Sequence, residues 1–535
     1  MKLRQSELKH RELWEEKGFK LPQFDRNEMV ERTKKNPEWI HFGAGNIFRA
    51  FPAAVCQELL DKGILRTGII VAEGYDYEII EKAFRSFDNL SLSVTMKTDG
   101  NLDKRVIGSI AESLCVDTKN AADWKRLKEV FTSPSLKMVS FTITEKGYSL
   151  VNAKKEFLND VAADFNGKPE AASSYIGKLA ALCYERFRNG GTPLTLVSMD
   201  NCSHNGSRLK EAVTTFAGKW TDNRITEPEF LTYVKESISY PWTMIDKITP
   251  RPAESVIEML KISGFEDTKS YVTSKNTYVA PFVNAEEPQY LVIEDRFLNG
   301  RLPLEQGGII YTDKKTVDKV EKMKVCTCLN PLHTALAVFG CLLSYDKISE
   351  EMKDKELVSL VERIGYDEGL PVVTDPGIIK PKEFIDEVLT IRLPNPFMPD
   401  TPQRIACDTS QKLSIRFGET IKAYSAKKGL NLKDLVYIPL VLAGWCRYLM
   451  AVDDNGSAFE LSPDPLLPSI TPLIAGIRLG QEENVHETLK NILSDASIFG
   501  VNLYEAGLGE KVESMFLELA AGKNAVRNTL KKYLD

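Results

Sequence analysis

No stretch of this chain reaches the roughly 18 consecutive apolar residues that a membrane-spanning helix needs. Its first residues, Met1 to Lys20, are dense in Lys, Arg, Glu and His, with nothing like the apolar core of a secretory signal. A cytoplasmic protein with no membrane partner is expected. A strong charge of one sign is also missing: Lys and Arg number 69 against 75 Asp and Glu, a formal net charge of −6. So small an imbalance draws in neither a phosphate backbone nor an anionic lipid surface, and nucleic acid is excluded as an expected partner. Histidines are few, five in 535 residues. The nine cysteines are an odd number without framework spacing, which argues against a disulfide scaffold. Cys326 and Cys328 form a C-x-C rather than the C-x-x-C of zinc sites, and no second pair comes after them, so no metal is expected. The thiols read as reduced and mostly buried. Internal repeats and low-complexity tracts are absent as well.

What remains is a globular composition, 43% hydrophobic and 27% charged. The length exceeds what one ordinary core holds, so two large domains are expected. The first ~35 residues read as an extension, helical until about Pro22. A strand-like run, Trp39 to Phe42, leads into Gly43-Ala44-Gly45-Asn46-Ile47-Phe48-Arg49, and a helical pattern continues from Phe51 to Lys62. A second strand, Gly68 to Ala72, ends at Glu73. This order of strand, Gly-rich turn, helix and strand predicts a parallel sheet. Ser91 to Met96 alternates as a half-exposed strand would. Two more apolar runs, Lys137 to Ile143 and Leu194 to Ser198, end in the polar clusters Thr144 to Tyr148 and Met199-Asp200-Asn201. In open α/β sheets such strand ends surround the ligand crevice. Beyond about residue 290 helical patterns dominate, over Thr316 to Ser344, Leu432 to Met450 and Leu473 to Leu493, with a Pro-rich loop from Leu393 to Pro402.

Two constellations carry chemistry. Gly43-x-Gly45-x-x-Phe48-Arg49 resembles a dinucleotide fingerprint without its third glycine; such glycines let the backbone approach a pyrophosphate at a helix start. Gly43, Gly45, Asn46, Ile47, Phe48 and Arg49 are therefore candidate cofactor contacts, as are Glu145 and Lys146 in the polar cluster of the later strand. Glu73, 28 residues after Gly45, can accept from both ribose hydroxyls and repel a 2′-phosphate, favouring NAD over NADP. Asp76 competes for that role, and a plain surface turn with a solvated glutamate is the bland alternative. The second constellation is Glu321 to His333. Oxidising an alcohol needs a base tuned towards neutrality, which a lysine in an apolar site provides, and Lys324 is the candidate. Asn330 and His333, three residues apart, share a helix face and can hold the reacting oxygen. A solvated lysine and a core histidine are the alternative.

The strings H-F-G-A-G-N-I-F-R-A, T-I-T-E-K-G-Y, S-M-D-N, M-I-D-K-I-T-P and K-V-C-T-C-L-N-P-L-H-T-A-L-A occur in that order. Together they resemble the signature segments of the polyol-specific long-chain dehydrogenase (mannitol dehydrogenase) family, from about residue 38 to about residue 400. The resemblance implies an α/β protein without a catalytic metal. A helical N-terminal extension (1–35) would precede a Rossmann-type NAD-binding domain (36–290) and a mainly α-helical substrate and catalytic domain (291–535). It implies Lys324 as acid and base, Asn330 and His333 on the reacting oxygen, and Glu321 as the gate for proton release. It also implies Asn201, Asp246 and Arg392 on the substrate side. The spacing departs from the family: Asn and His follow the lysine there by five and eight residues, here by six and nine. At roughly 100° per residue, nine residues would set Lys324 and His333 on opposite faces of an α-helix, whereas eight leave them about 80° apart. A π-bulge or distorted turn between Val325 and Asn330 is predicted, assisted by Pro331, which cannot donate to the Thr327 carbonyl. Were Lys324 turned away, Lys322 would be the next candidate.

A uronate substrate carries a carboxylate, which calls for a cation. Arg392 is the first candidate; Arg404 is the second, or else a structural salt bridge. The wording of the lysine segment is closest to family members acting on fructuronate. The leading expectation is reversible, NADH-dependent reduction of D-fructuronate to D-mannonate. Activity on mannitol or tagaturonate is the alternative, and an inactive NAD-binding sensor or assembly protein a further one. The expected partner is a small sugar acid or polyol, the expected state a monomer or small homo-oligomer.

Overall fold

The computed structural model describes residues 1–481 and 485–535. They fall into two units, Met1–Lys97 with Asn101–Asp318, and Thr98–Gly100 with Lys319–Asp535. The first unit runs past the change of texture near residue 290, because Ile310–Thr312 pairs as a strand with Tyr290–Glu294.

In the N-terminal unit six apolar runs become one sheet: β1 (Trp39–Phe42), β2 (Ile69–Glu73), β3 (Ile110–Cys115), β4 (Met138–Phe141), β5 (Leu194–Ser198) and β6 (Ile238–Ser239). Their order is β3-β2-β1-β4-β5-β6, and every pairing is parallel. This is the doubly wound order of a Rossmann domain. Strands β1, β2, β4 and β5 are buried at every residue, as a sheet covered on both faces requires. Their period of two sorts Ile40, Phe42, Ile70, Ala72, Val139 and Phe141 into one core. Trp39, Ile69, Val71 and Met138 go into the other. Strand order reverses between β1 and β4, so the carboxyl ends of β1, β2, β4 and β5 surround the crevice where ligands bind in such sheets.

Two local expectations are corrected. The N-terminal extension is not helical throughout: helix Arg11–Glu16 gives way to strand Phe19–Lys20, which pairs with Leu102–Ile107, and helix Arg26–Lys35 comes next. Trp14 and Phe19 are buried against Phe265, a contact that local periodicity does not reveal. Ser91–Met96 is a strand, but it is buried at all but one residue. Its polar positions can go inside because they find partners; the Ser91 hydroxyl donates to the Pro281 carbonyl at 3.2 Å.

The C-terminal unit is helical, and among its described residues the β structure is one bridge, Val452 to Ala458. The helix expected over Thr316 to Ser344 is a run of three parts, Lys314–Met323, Lys324–Cys328 and Asn330–Leu342. By length and composition that run could cross a membrane, but 78% of its most apolar window is buried inside the protein, as in a core helix. Leu432 to Met450 resolves into a turn, Leu432–Asp434, and helix Tyr437–Tyr448. That helix is capped from far upstream: the Glu368 carboxylate accepts from the N–H groups of Val436, Tyr437 and Ile438. The single helix expected over Leu473 to Leu493 is interrupted. Helices Leu467–Ile474 and Val485–Leu493 flank a glycine-bearing turn, and residues 482–484 of the expected helix lie outside the described ones. All nine cysteines are free, five of them buried.

Glu351 is a weak point in this unit. It is fully buried, and neither carboxylate oxygen has a hydrogen-bond partner among the described residues. It fits only because Gly340 lacks a Cβ, which would lie 2.2 Å from its Oε1. Burial, with Asp354 adding to it, pushes the carboxyl well above its ordinary range. The unfolded chain can ionise this group while the fold cannot, so stability falls as pH rises from the ordinary carboxyl range towards the raised folded value. Glu351→Met should raise stability by about 1–3 kcal/mol at pH 8, with the gain shrinking towards pH 4. Thermal unfolding of both proteins at the two pH values checks this; a variant less stable at pH 8 would contradict it.

Candidate active site

The Gly-rich turn is built by close approach. Gly43, at the end of β1, has φ +107°, and a Cβ there would lie 2.2 Å from the Thr142 carbonyl oxygen on the neighbouring strand. Only glycine fits. Around Gly45 there is room, since a Cβ there would meet nothing within 4 Å. Beyond it Asn46–Ala50 forms a short helix and Pro52–Asp61 a longer one. Ile47 packs in part against the core, and two further expected cofactor contacts have side chains turned into the protein. Phe48 is buried and stacked on His41 at 4.4 Å. Arg49 is buried too; it donates to the Ala280 carbonyl at 2.7 Å and to Asn46 Oδ1 at 2.9 Å, and burial brings its guanidinium down to about 9. At these two positions only backbone remains to face a ligand.

Glu73 has backbone partners that its expected role does not include. Its Oε2 accepts from the Ala44 N–H at 2.8 Å, and its Oε1 from the N–H groups of Tyr75 and Asp76 at 2.8 and 3.0 Å. The carboxylate therefore pins the Gly-rich turn of β1 to the loop leaving β2. Asp76, the competitor, accepts from the Thr273 hydroxyl at 2.5 Å. Beside them lies Tyr175, the first residue of helix Tyr175–Arg188, whose ring fills the space a Cβ on Gly74 would need. Its hydroxyl is buried with no partner among the described residues. Burial and the charges of Glu73 and Asp200 push it well above a phenol's usual range.

At the ends of β4 and β5 the organiser is Asp200, which the motifs alone did not single out. It accepts from the N–H groups of Ile143 and Thr144 at 3.0 and 2.8 Å and from the Tyr148 hydroxyl. Burial raises its carboxyl above the ordinary range. Thr144 sits at φ +65°, a costly conformation for a β-branched residue that these bonds help to hold. Buried Asn205 donates to the Asp200 carbonyl at 2.9 Å and to Thr243 Oγ1 at 2.9 Å, linking this loop to strand Thr243–Asp246. Of the expected residues here, Asn201, Glu145 and Lys146 are exposed, Glu145 is paired with Arg208 at 2.8 Å, and Asp246 is buried opposite Tyr290. Asp200 and Tyr148 lie inside the strings S-M-D-N and T-I-T-E-K-G-Y. Asn205 carries no sequence signal.

In the C-terminal unit the predicted irregularity is present. Lys324–Cys328 is a π-turn in which the Leu329 N–H donates to the Lys324 carbonyl at 3.1 Å, five residues back. The α-helix resumes with Asn330, and Pro331 occupies its first turn, where a missing N–H costs nothing. A π-turn of this kind takes up one residue more than an α-turn. Lys324 is 4% exposed. Lys322, the fallback, is exposed, while Glu321, Asn330 and His333 are half-buried. His333 Nε2 lies 3.9 Å from Asp400 Oδ2, and Asp400 also holds Arg404. Asp400 is a second residue that motif reading missed, though it opens the D-T-P-Q-R segment. Arg404 is 59% exposed in its side chain, whereas Arg392 is buried on a π-turn, Val388–Arg392, beside buried Asn395.

Sequence models of one family match most of the chain: the mannitol dehydrogenase Rossmann domain over residues 37–306 and the mannitol dehydrogenase C-terminal domain over residues 316–520. The chain belongs to the mannitol dehydrogenase family. It is an oxidoreductase acting on CH–OH groups, and its parallel sheet is the Rossmann domain of that family. Similarity extends over the full length of a D-mannonate oxidoreductase from Thermotoga maritima, 51% identical over 99% of both chains. A D-sorbitol dehydrogenase in its substrate-free form has a TM-score of 0.78 at 23% identity, covering 97% of this chain and 98% of its own. Mannitol 2-dehydrogenase of Pseudomonas fluorescens, solved with NAD and D-mannitol, has a TM-score of 0.69 at 24% identity over 99% of both chains. At that identity the last two are likenesses of fold. Mannitol dehydrogenase-family membership accounts for the ordered strings, and the six-residue lysine-to-asparagine interval is housed in the π-turn.

Proposed function

We propose that the chain catalyses the reversible, NAD-dependent reduction of D-fructuronate to D-mannonate. The observation that carries this reading is the 51% identity with the D-mannonate oxidoreductase of T. maritima across 99% of both chains. The Rossmann domain supports a dinucleotide in two respects: open space above Gly45, and the Tyr175 hydroxyl, without a partner among the described residues, beside the same strand ends. NADH supplies the hydride for the keto carbon when bound, and the remaining work falls to side chains of this chain. Lys324 gives a proton to the oxygen as it becomes an alkoxide; in the oxidative direction its amine takes that proton back. Asn330 and His333, one turn apart, donate to the same oxygen and stabilise its developing charge. Glu321, one turn before the lysine, passes protons between Lys324 and solvent. Arg392 takes the uronate carboxylate in a bidentate grip, and Asn201 and Asp246 hold sugar hydroxyls. Arg404 acts through Asp400, which it holds beside His333. Nine free thiols suit the reducing cytoplasm, where we place the enzyme.

A substrate panel tests the assignment. With NADH, kcat/KM for D-fructuronate should exceed that for D-fructose, which lacks the carboxylate, by at least about tenfold, the worth of one charge-assisted contact of about 1.5–3 kcal/mol. Faster turnover of fructose would remove the uronate assignment and leave family membership intact.

A further inference from the structure

Two arginines in the cores show what a guanidinium needs away from water: Arg186 donates to five backbone carbonyls and Arg447 to three. Arg416, in the C-terminal unit, is different. It is half-buried, and burial brings its guanidinium down to about 10. Among the described residues its side chain makes one hydrogen bond, from Nη1 to the Thr334 hydroxyl at 2.5 Å, and no ion pair. A guanidinium carries five N–H donors, so about four are left over. Their direction follows from the local packing. Arg416 stands on the π-turn Ser414–Gly418, which leads into helix Glu419–Ala426. On one side Gly418 is pressed against the Phe499 carbonyl oxygen, from which a Cβ there would lie 2.2 Å. On the other, Thr420 donates its hydroxyl to the Cys326 carbonyl at 3.3 Å. Residues four apart share a face, so Arg416 points as Thr420 does, towards the Lys324–Cys328 turn. Its partner Thr334 follows His333 and donates to the Asn330 carbonyl at 2.9 Å. The unused donors therefore stand where the lysine turn meets the start of helix Asn330–Leu342, an end that itself favours negative charge.

A second positive charge lies one turn earlier. The Lys412 carbonyl accepts the Arg416 N–H at 2.9 Å, and its ammonium donates to the Cys407 carbonyl at 2.5 Å. Burial and the charge of Arg416 hold that ammonium below its usual range, against the opposite pull of Asp408 and Asp464. Neither aspartate pairs with Lys412 or Arg416; Asp464 instead accepts from Ser410. Like charges four residues apart on a helix repel, and a desolvated cation without acceptors is costly. An anion seated at Arg416 relieves both. The substrate proposed above carries one, a carboxylate on the same carbon chain as the keto oxygen that Asn330 and His333 hold. A carboxylate offers about four lone-pair sites, of which one bidentate arginine fills two. Arg392 alone leaves it half satisfied.

We propose that Arg416 is a specificity-determining residue, a second cation that takes the lone pairs of the substrate carboxylate left open by Arg392 and so separates uronates from neutral ketoses, a role that rests on the uronate reading above. Thr334 holds the guanidinium beside the helix start, and Lys412 reinforces the positive field behind it.

Steady-state kinetics of the full-length enzyme with NADH, on D-fructuronate and on D-fructose, tests the assignment. Arg416→Met should lower kcat/KM for fructuronate at least 30-fold, about 2 kcal/mol. The loss should fall on KM, with kcat within about threefold of native, as removal of a binding contact requires. Fructose has no carboxylate to lose, and its kcat/KM should stay within about twofold. Arg416→Lys keeps the charge but not the fork; it should lose several-fold on fructuronate alone, and it decides the matter should the methionine variant fail to fold. Thr334→Val removes the bond inside the protein but not the guanidinium, and should move the fructuronate-to-fructose ratio by less than about threefold. Equal losses on both sugars, or a fall in fructuronate kcat with KM unchanged, would make Arg416 a structural residue and overturn the proposal. An unchanged ratio in both Arg416 variants would overturn it too. A native enzyme without preference for fructuronate would remove the uronate reading and the proposal together, whereas native preference with indifferent Arg416 variants overturns the proposal alone.

Discussion

Lys324→Met should lower kcat for fructuronate reduction by about 10²–10⁴-fold, the usual worth of a positioned proton donor, while NADH affinity stays within about twofold. Lysine and methionine have similar length and volume, so the buried place in the π-turn remains filled. What disappears is the proton. Lys322→Met is the control, because that side chain is exposed two residues earlier on the same run; its kcat should change by less than about twofold. Steady-state kinetics with parallel fluorescence titration of NADH separates the two effects. Retention of more than a tenth of kcat by Lys324→Met, with the large loss appearing in Lys322→Met, would reverse the assignment. The comparison has force because the longer spacing gives the sequence two lysines to choose between. Of the two, Lys324 is the buried one, carried on the π-turn that precedes the helix of Asn330 and His333.

Glu73→Ala should weaken NADH binding at least tenfold and destabilise the N-terminal unit by about 3–5 kcal/mol, without any gain in NADPH use. A carboxylate accepting three backbone N–H groups, two of them in buried bonds, makes charge-assisted bonds of about 1.5–3 kcal/mol each, and these are not additive. Its removal leaves the Ala44, Tyr75 and Asp76 donors without partners and unties the Gly-rich turn from the β2 loop. Titration with both cofactors and thermal unfolding measure the outcome. The ribose-reading role that the position of Glu73 suggests makes the opposite forecast: a stable variant whose preference moves towards NADPH. That result would show the acid acting on the cofactor and not on the backbone.

Glu73 and Asp200 show why part of the site was beyond reach of the amino-acid string. The place of Glu73, at the end of the second strand after a G-x-G turn, was readable because strand, turn and helix are set by neighbours in sequence. Its use depends on where the Ala44 N–H arrives, 29 residues earlier, and no local pattern states that. Phe48 and Arg49 look like part of a fingerprint, yet their side chains belong to the core, because His41 and Ala280 wait behind the turn. Tyr148 and Asp200 stand in conspicuous strings but reveal their partnership only when β4 and β5 lie side by side. The helical irregularity is the counter-example: one residue too many between Lys324 and Asn330 is a count, and helix geometry converts a count into a π-turn.

By itself the sequence determined the parallel α/β domain followed by a helical one, the Gly43–Gly45 turn and the extra residue in the lysine helix. Each arises from periodicity or spacing over a few residues, where backbone geometry leaves few choices. Tertiary structure alone decided which carboxylates were spent on backbone N–H groups and which of two lysines went inside. Those outcomes rest on hydrogen bonds and burial between segments tens to hundreds of residues apart, and such pairings exist only once the chain has folded.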